Sequence, residues 1–129
     1  MSLMVQLLIV EDNNDFRKKL KENLLSFLPF LCIQEASDEK EAFEKLHRFC
    51  PDLIIMDIDL SGENGLALTE KIKERYPRTV VMILTNHDLP EYRDAAYKKG
   101  AKYFFSKETA SLKEIIELVE SIFSDGGTV

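Results

Sequence analysis

Five side chains could carry out one reaction together: Asp57, the acidic pair Glu11-Asp12, Thr85 and Lys107. Asp57 directly follows Leu53-Ile54-Ile55-Met56, a short run with no polar member. A carboxylate can act as a nucleophile toward phosphorus, giving an aspartyl phosphate, a mixed anhydride that is transient by nature. Glu11, Asp12 and Asp57 in one crevice would repel one another and raise one another's pKa. A divalent cation resolves that repulsion, and an all-oxygen donor set without His or Cys suits Mg²⁺, or Mn²⁺ in its place. The same cation would shield an incoming phosphoryl group from the acids around it. Lys107 offers a point positive charge for phosphoryl oxygens and Thr85 a hydroxyl donor. Asp59, Ser61, Gly62, Asn64 and Gly65 form a polar turn after Asp57, with backbone N–H groups near the same place.

Taken singly, each residue is ordinary. Acids near a helix start commonly serve as caps, and Asp often opens a turn. Their convergence depends on the elements that carry them. Val5–Val10, Leu53–Met56 and Val80–Leu84 are unbroken or nearly unbroken apolar runs, the pattern of strands covered on both faces of a parallel sheet. Phe30–Ala36 is more polar through Gln34 and Glu35, as suits an edge strand, and Tyr103–Phe105 is a fifth, short strand. Between them fall helical stripes: Phe16, Leu20, Leu24, Phe27 and Leu28; Ala42, Phe43, Leu46 and Phe49; Leu68, Ile72 and Tyr76; Tyr92, Ala95 and Ala96; and Leu112, Ile115, Ile116, Val119, Ile122 and Phe123. Expected caps are Asn13 or Asn14, Ser37, the capping-box pairs Asp88/Glu91 and Ser111/Glu114, and Gly100 at a helix end.

Five strand–helix units with short connections predict an α/β, doubly wound domain with a five-stranded parallel sheet of order 2-1-3-4-5. Four of the five strands then end in a reactive residue on one sheet edge, and Asp57 lies beside the topological reversal where a crevice opens.

Composition narrows the function. The 129 residues carry a net charge of −6, which argues against this chain itself gripping nucleic acid or an anionic membrane. No apolar run approaches the ~20 residues of a membrane span, and no secretory signal opens the chain, so a cytoplasmic location is expected. Cys32 and Cys50 lack metal-type spacing and are expected to be two buried thiols. His47 is expected to be structural, and His87 an exposed loop residue two positions beyond Thr85.

In order along the chain stand Glu11-Asp12, Met-Asp-Ile-Asp-Leu around Asp57, Gly62 and Gly65, Thr85 after an apolar strand, and Lys107 after an aromatic one. With these motifs the chain resembles a response-regulator receiver domain of flavodoxin-like fold, residues 1–125, with 126–129 as a frayed end or the start of a linker. The resemblance implies that Asp57 takes a phosphoryl group from a sensor histidine kinase or phosphotransfer protein in two-component signalling. It implies Mg²⁺ held by Asp12, Asp57 and the backbone carbonyl of Asp59, with Glu11 acting partly through water. It also implies that Thr85 moves toward the phosphoryl group while Phe104 swings inward, remodelling the face of the fourth helix, fifth strand and fifth helix. That face is the expected homodimer or partner contact; Leu118, just outside the core stripe of the fifth helix, belongs either to a dimer or partner face or to the ordinary exposed leucines. A DNA-binding effector domain would belong to a longer parent chain. Three positions depart from the pattern: Glu108 and Ser61 stand where proline is usual, and Phe104 where tyrosine is frequent.

Two other classes compete. Asp57-Ile58-Asp59 suggests a haloacid-dehalogenase-type phosphatase using both acids, although the acidic pair precedes the nucleophile here and the chain leaves little room for a cap domain. A flavin-binding module would need a Ser/Thr/Gly-rich loop after the first strand, where an acidic cluster stands instead.

Overall fold

Alternation along the apolar runs builds the two faces of the sheet. In the computed structural model, which describes residues 5–127, β1 (Val5–Val10), β2 (Leu31–Ala36), β3 (Leu53–Met56), β6 (Val80–Thr85) and β7 (Tyr103–Ser106) form one parallel sheet. Its order is β2-β1-β3-β6-β7. This is the expected 2-1-3-4-5 arrangement, with one addition. The polar turn after Asp57 closes into a two-residue antiparallel ladder, β4 (Asp59–Leu60) with β5 (Glu63–Asn64).

Leu8, Val10, Ile54, Met56, Val81 and Ile83 point to the face covered by α2 (Glu39–Phe49), α3 (Gly65–Arg75) and α4 (Pro90–Lys98). Leu7, Ile9, Leu53, Ile55, Met82 and Leu84 point to the face covered by α1 (Asn14–Phe27) and α5 (Leu112–Gly127). The period of two in a strand sends successive side chains to opposite sides, so a strand covered on both sides must be apolar throughout. All four residues of β3 are at most 2% exposed. Each such side chain contributes on the order of 1.5–3 kcal/mol of hydrophobic burial.

The helix stripes hold with two exceptions. Leu20, Leu24 and Leu28 take the buried line of α1, which leaves Phe27 beside it and 63% exposed. Phe49 likewise falls outside, past Leu46 at the end of α2. Phe30 precedes β2 rather than opening it, and is also exposed.

The caps follow local sterics. Asn13 caps α1, its Oδ1 accepting the Phe16 N–H at 3.0 Å. Asp38, not Ser37, caps α2 by accepting the Glu41 N–H at 2.8 Å; Ser37 instead donates to the Glu41 carboxylate. The Asp88/Glu91 box does not form. Pro90 disfavours helical dihedrals at the residue before it, so Leu89 becomes the extended cap residue (φ −66°, ψ 147°), and Asp88 is one position too early. Ser111 and Glu114 do pair, the Glu114 N–H donating to Ser111 Oγ at 3.1 Å. Gly100 follows the end of α4 with φ +109°.

Cys50 is exposed rather than buried; it is the C-cap residue of α2, with a left-handed backbone (φ 46°). Cys32 is half-buried on the edge strand, and His47 faces outward. The backbone of α5 stays helical through Gly127, and residues 1–4 and 128–129 lie outside the described residues. No helix among the described residues is long and apolar enough to cross a membrane.

Candidate functional site

The carboxyl ends of β1, β3 and β7 deliver the reactive groups to one rim. Glu11 follows β1, Asp57 follows β3 and Lys107 follows β7. The strands end together because their register pairs Val10 with Met56 and Met56 with Ile83. The Asp57 N–H donates to the Val10 carbonyl at 3.1 Å, which fixes Asp57 beside the acidic turn. A cavity of about 330 Å³ opens here, lined by Glu11, Asp12, Asp57, Ser61, Asn86 and Lys107 among others.

Asp57 is 5% exposed. Its Oδ1 accepts the Asp59 backbone N–H at 3.2 Å and its Oδ2 accepts the Lys107 ammonium at 3.0 Å. Lys107 also donates to Glu11 Oε1 at 2.5 Å. One oxygen each from Glu11, Asp12 and Asp57 lies within 4.8 Å of the others, so these three carboxylates could hold a single ion. The donor set is all carboxylate oxygen, the chemistry of a hard divalent cation.

Burial lifts the Glu11 carboxyl to about 7, and the neighbouring Asp57 charge adds to the rise, against the lowering pull of its hydrogen bonds to Lys107 and Asn13. For Lys107 burial acts downward, but hydrogen bonds to Glu11 and Asp57 outweigh it and hold the ammonium above its ordinary value. The sign for stability follows. A carboxyl that binds its proton more tightly when folded stabilises the fold below its ordinary pKa near 4.5, and that stabilisation is lost as pH rises through about 7. In metal-free protein, thermal denaturation should therefore show the parent losing stability relative to Glu11→Gln between pH 4.5 and 7. A constant difference between the two across that range would contradict the lifted carboxyl.

The other candidates sit differently. Thr85 is fully buried, and its Oγ1 accepts the His87 N–H at 3.3 Å. Its carbonyl accepts the Lys107 N–H at 2.8 Å, which ties the two strand ends together. The Asp59 carboxylate is turned outward onto His87 Nε2 at 2.8 Å, so only its backbone faces Asp57. His87 is therefore a partner across the rim, not a free loop residue; its ring also packs on Tyr92, with centroids 4.9 Å apart. Phe104 points inward, 4% exposed, under the Arg93 guanidinium at 5.0 Å.

Two of the departures from the usual motif acquire partners. Ser61 Oγ donates to Asp12 Oδ2 at 2.6 Å, a bond that proline could not make. The loop after Lys107 turns without a cis peptide and is held by Ser106, whose Oγ accepts the Glu108 N–H and whose carbonyl accepts the Ala110 N–H. Sequence reasoning missed Arg17. This largely buried side chain binds the Glu11 carbonyl at 2.7 Å, Asn14 Oδ1 at 2.6 Å and Glu35 at 2.9 Å, so it clamps the acidic turn to β2. An arginine five residues past an acidic pair was the only signal available.

The chain matches the model of the family described as "Response regulator receiver domain" over residues 7–120. It is 30% identical over 125 residues to the transcriptional regulatory protein DegU of Brevibacillus brevis, covering 97% of this chain and 52% of that protein. The chain thus spans about half the length of this curated relative. A CheY-like receiver domain structure from Methanospirillum hungatei JF-1 superposes with a TM-score of 0.87 at 19% identity, covering 97% of this chain and 98% of that one. A Burkholderia pseudomallei response regulator, crystallised with a phosphorylated aspartic acid, calcium ion and citrate, superposes with a TM-score of 0.79 at 22% identity over 87% of this chain and 64% of that one. None of these matches supports a haloacid-dehalogenase-type phosphatase. An acid-rimmed crevice at the topological switch point, on a sheet of this order and in a chain that matches the family nearly end to end, belongs to the response regulator receiver domain family, the phosphoacceptor switches of two-component signalling.

Proposed function

We propose that Asp57 is the phosphoacceptor and that a phosphohistidine of a sensor kinase or phosphotransfer protein is the donor. The observation that carries this reading is the Lys107 ammonium, bound at once to Asp57 Oδ2 and Glu11 Oε1 at the rim. In the transfer, an Asp57 carboxylate oxygen forms a bond to phosphorus as the phosphorus–nitrogen bond to the donor imidazole breaks. The electron pair leaves with the imidazole, which takes up a proton. Such a loose transition state needs positioning and charge more than covalent help. Lys107 supplies a cation already aimed at the attacking group. The Asp59 N–H holds the other carboxylate oxygen and fixes the plane of the nucleophile.

Glu11, Asp12 and Asp57 would hold Mg²⁺, aided by the Asp59 backbone carbonyl. When bound, the ion would neutralise charge among these acids and on the phosphoryl oxygens. Ser61 fixes the outer face of Asp12 in that set. The phosphorylated aspartic acid and calcium ion in the Burkholderia pseudomallei protein support a cation and an acyl phosphate in this fold.

The switch would run through Thr85. Its buried hydroxyl must leave the His87 N–H to reach a phosphoryl oxygen, and that motion would pull on the start of α4 through His87 and Tyr92. The α4–β7–α5 face is the surface that would read the change, as a homodimer contact or toward an effector domain. DegU's description as a transcriptional regulatory protein supports a DNA-binding effector in a longer chain.

Incubation with acetyl phosphate and Mg²⁺ tests the reading. Slow, stoichiometric labelling is expected, lost on chelation. Rapid turnover of a simple phosphate ester without a labelled protein would contradict it. Lys107→Ala should still take up the phosphoryl group but fail to transmit it. The spectral change of the α4–β7–α5 face seen in the parent should be absent, and equal shifts in both proteins would contradict this role.

A further inference from the structure

Three groups fix the Lys107 ammonium, and only two are acids. The third is the Phe16 ring, whose centroid is 4.1 Å from Nζ. The Lys107 side chain is 12% exposed, so this contact is largely shielded from water, where attraction between a cation and a ring face is strongest. Behind the ring, Leu20, Leu84 and Ile115 line an apolar cleft of about 230 Å³ between α1 and α5 that also reaches Lys107. The ammonium thus sits between a layer of carboxylates and an aromatic wall. An aliphatic residue at position 16 would fill similar volume but present no negative face to the cation.

Phe16 is also well placed to stay in register with the acids. It lies in the first turn of α1, and its N–H is the one that Asn13 caps. Glu11 accepts the Asn13 N–H at 3.1 Å, so a single short segment sets both the acidic and the aromatic partner of the same lysine.

We propose that Phe16 is a positioning residue that holds the Lys107 ammonium against Asp57 and so raises the affinity of the site for a phosphoryl group. This rests on the reading of Lys107 as the phosphoryl-binding cation, and the test separates the two claims. The probe is beryllofluoride with Mg²⁺, titrated by fluorescence or NMR. Phe16→Leu should weaken its binding roughly tenfold, as expected for a shielded contact of this kind. Phe16→Tyr keeps the ring face and should stay within about threefold of the parent.

Two further readings exclude simple packing. In the unaltered protein, the Lys107 Hε protons should be shifted upfield by the ring, and Phe16→Leu should abolish the shift. In a Lys107→Met background, Phe16→Leu should cost nothing more. Equal probe affinity for Phe16→Leu and the parent would overturn the proposal. So would the same loss in the Lys107→Met background, or unshifted Hε protons in the parent, a reading that needs no variant to fold. Lys107→Met binding as well as the parent would instead strike the role of Lys107 beneath it.

Discussion

Asp57→Asn should abolish covalent labelling by acetyl phosphate, measured as the mass of the intact protein, while leaving the fold at least as stable as the parent. The amide keeps the volume and an oxygen that can accept the Asp59 N–H, but it has no carboxylate lone pair to attack phosphorus. Stability is retained because the change removes one of two acids buried beside each other; Asp57 is 5% and Glu11 3% exposed. Lys107 keeps its bond to Glu11. Undiminished labelling of the Asn variant would refute the assignment, and label recovered on Glu11 or Asp12 would move the nucleophile within the same cluster.

Gly65→Ala should be the most damaging small substitution near the site. A Cβ at position 65 would stand 2.0 Å from the Asp57 carbonyl oxygen and 2.9 Å from the Ile58 Cα, both backbone atoms that cannot swing aside. The glycine is needed here for close approach, since its N–H also donates to the Ile58 carbonyl at 2.8 Å. Relief requires moving either the start of α3 or the peptide that carries Asp57. Overpacking of this kind costs about 3 kcal/mol or more. A displacement of about 1 Å at a reacting group can cost ~100-fold in rate. Chemical denaturation and the rate of self-labelling check the two effects separately. A variant within about 1 kcal/mol of the parent that also labels at the parent's rate would show that the loop yields without cost. Gly62→Ala is a useful contrast: nothing lies within 4 Å of its Cβ, so only its left-handed φ of +71° resists the change.

The sheet was legible because buried parallel strands leave an unambiguous mark. Leu53–Met56 and Val80–Leu84 have no polar residue to place on a wet face, so both faces had to be covered. Strand ends then put Asp57, Lys107 and the acidic pair on one rim by topology alone. Helix ends were harder to read. Ser37 and Asp38 are both competent caps, and their neighbours decide between them. At Pro90 the steric rule for the preceding residue overrode a good Asp88/Glu91 pattern. Phe27 and Phe49 fit their stripes by spacing, but each lies at the last turn of its helix and is left exposed there.

By itself, then, the amino-acid sequence determined the layer order, the residues at the rim and the kind of chemistry they could share, because hydrophobic period and chain order are local properties. Tertiary structure decided the partners. It turned the Asp59 carboxylate outward to His87, 28 residues away, and gave Ser61 to Asp12, 49 residues away. It also buried Thr85 behind the rim and set Phe16 beneath the lysine. Those choices depend on which loops meet in space and on how little room the strand ends leave, and no spacing along the chain encodes either.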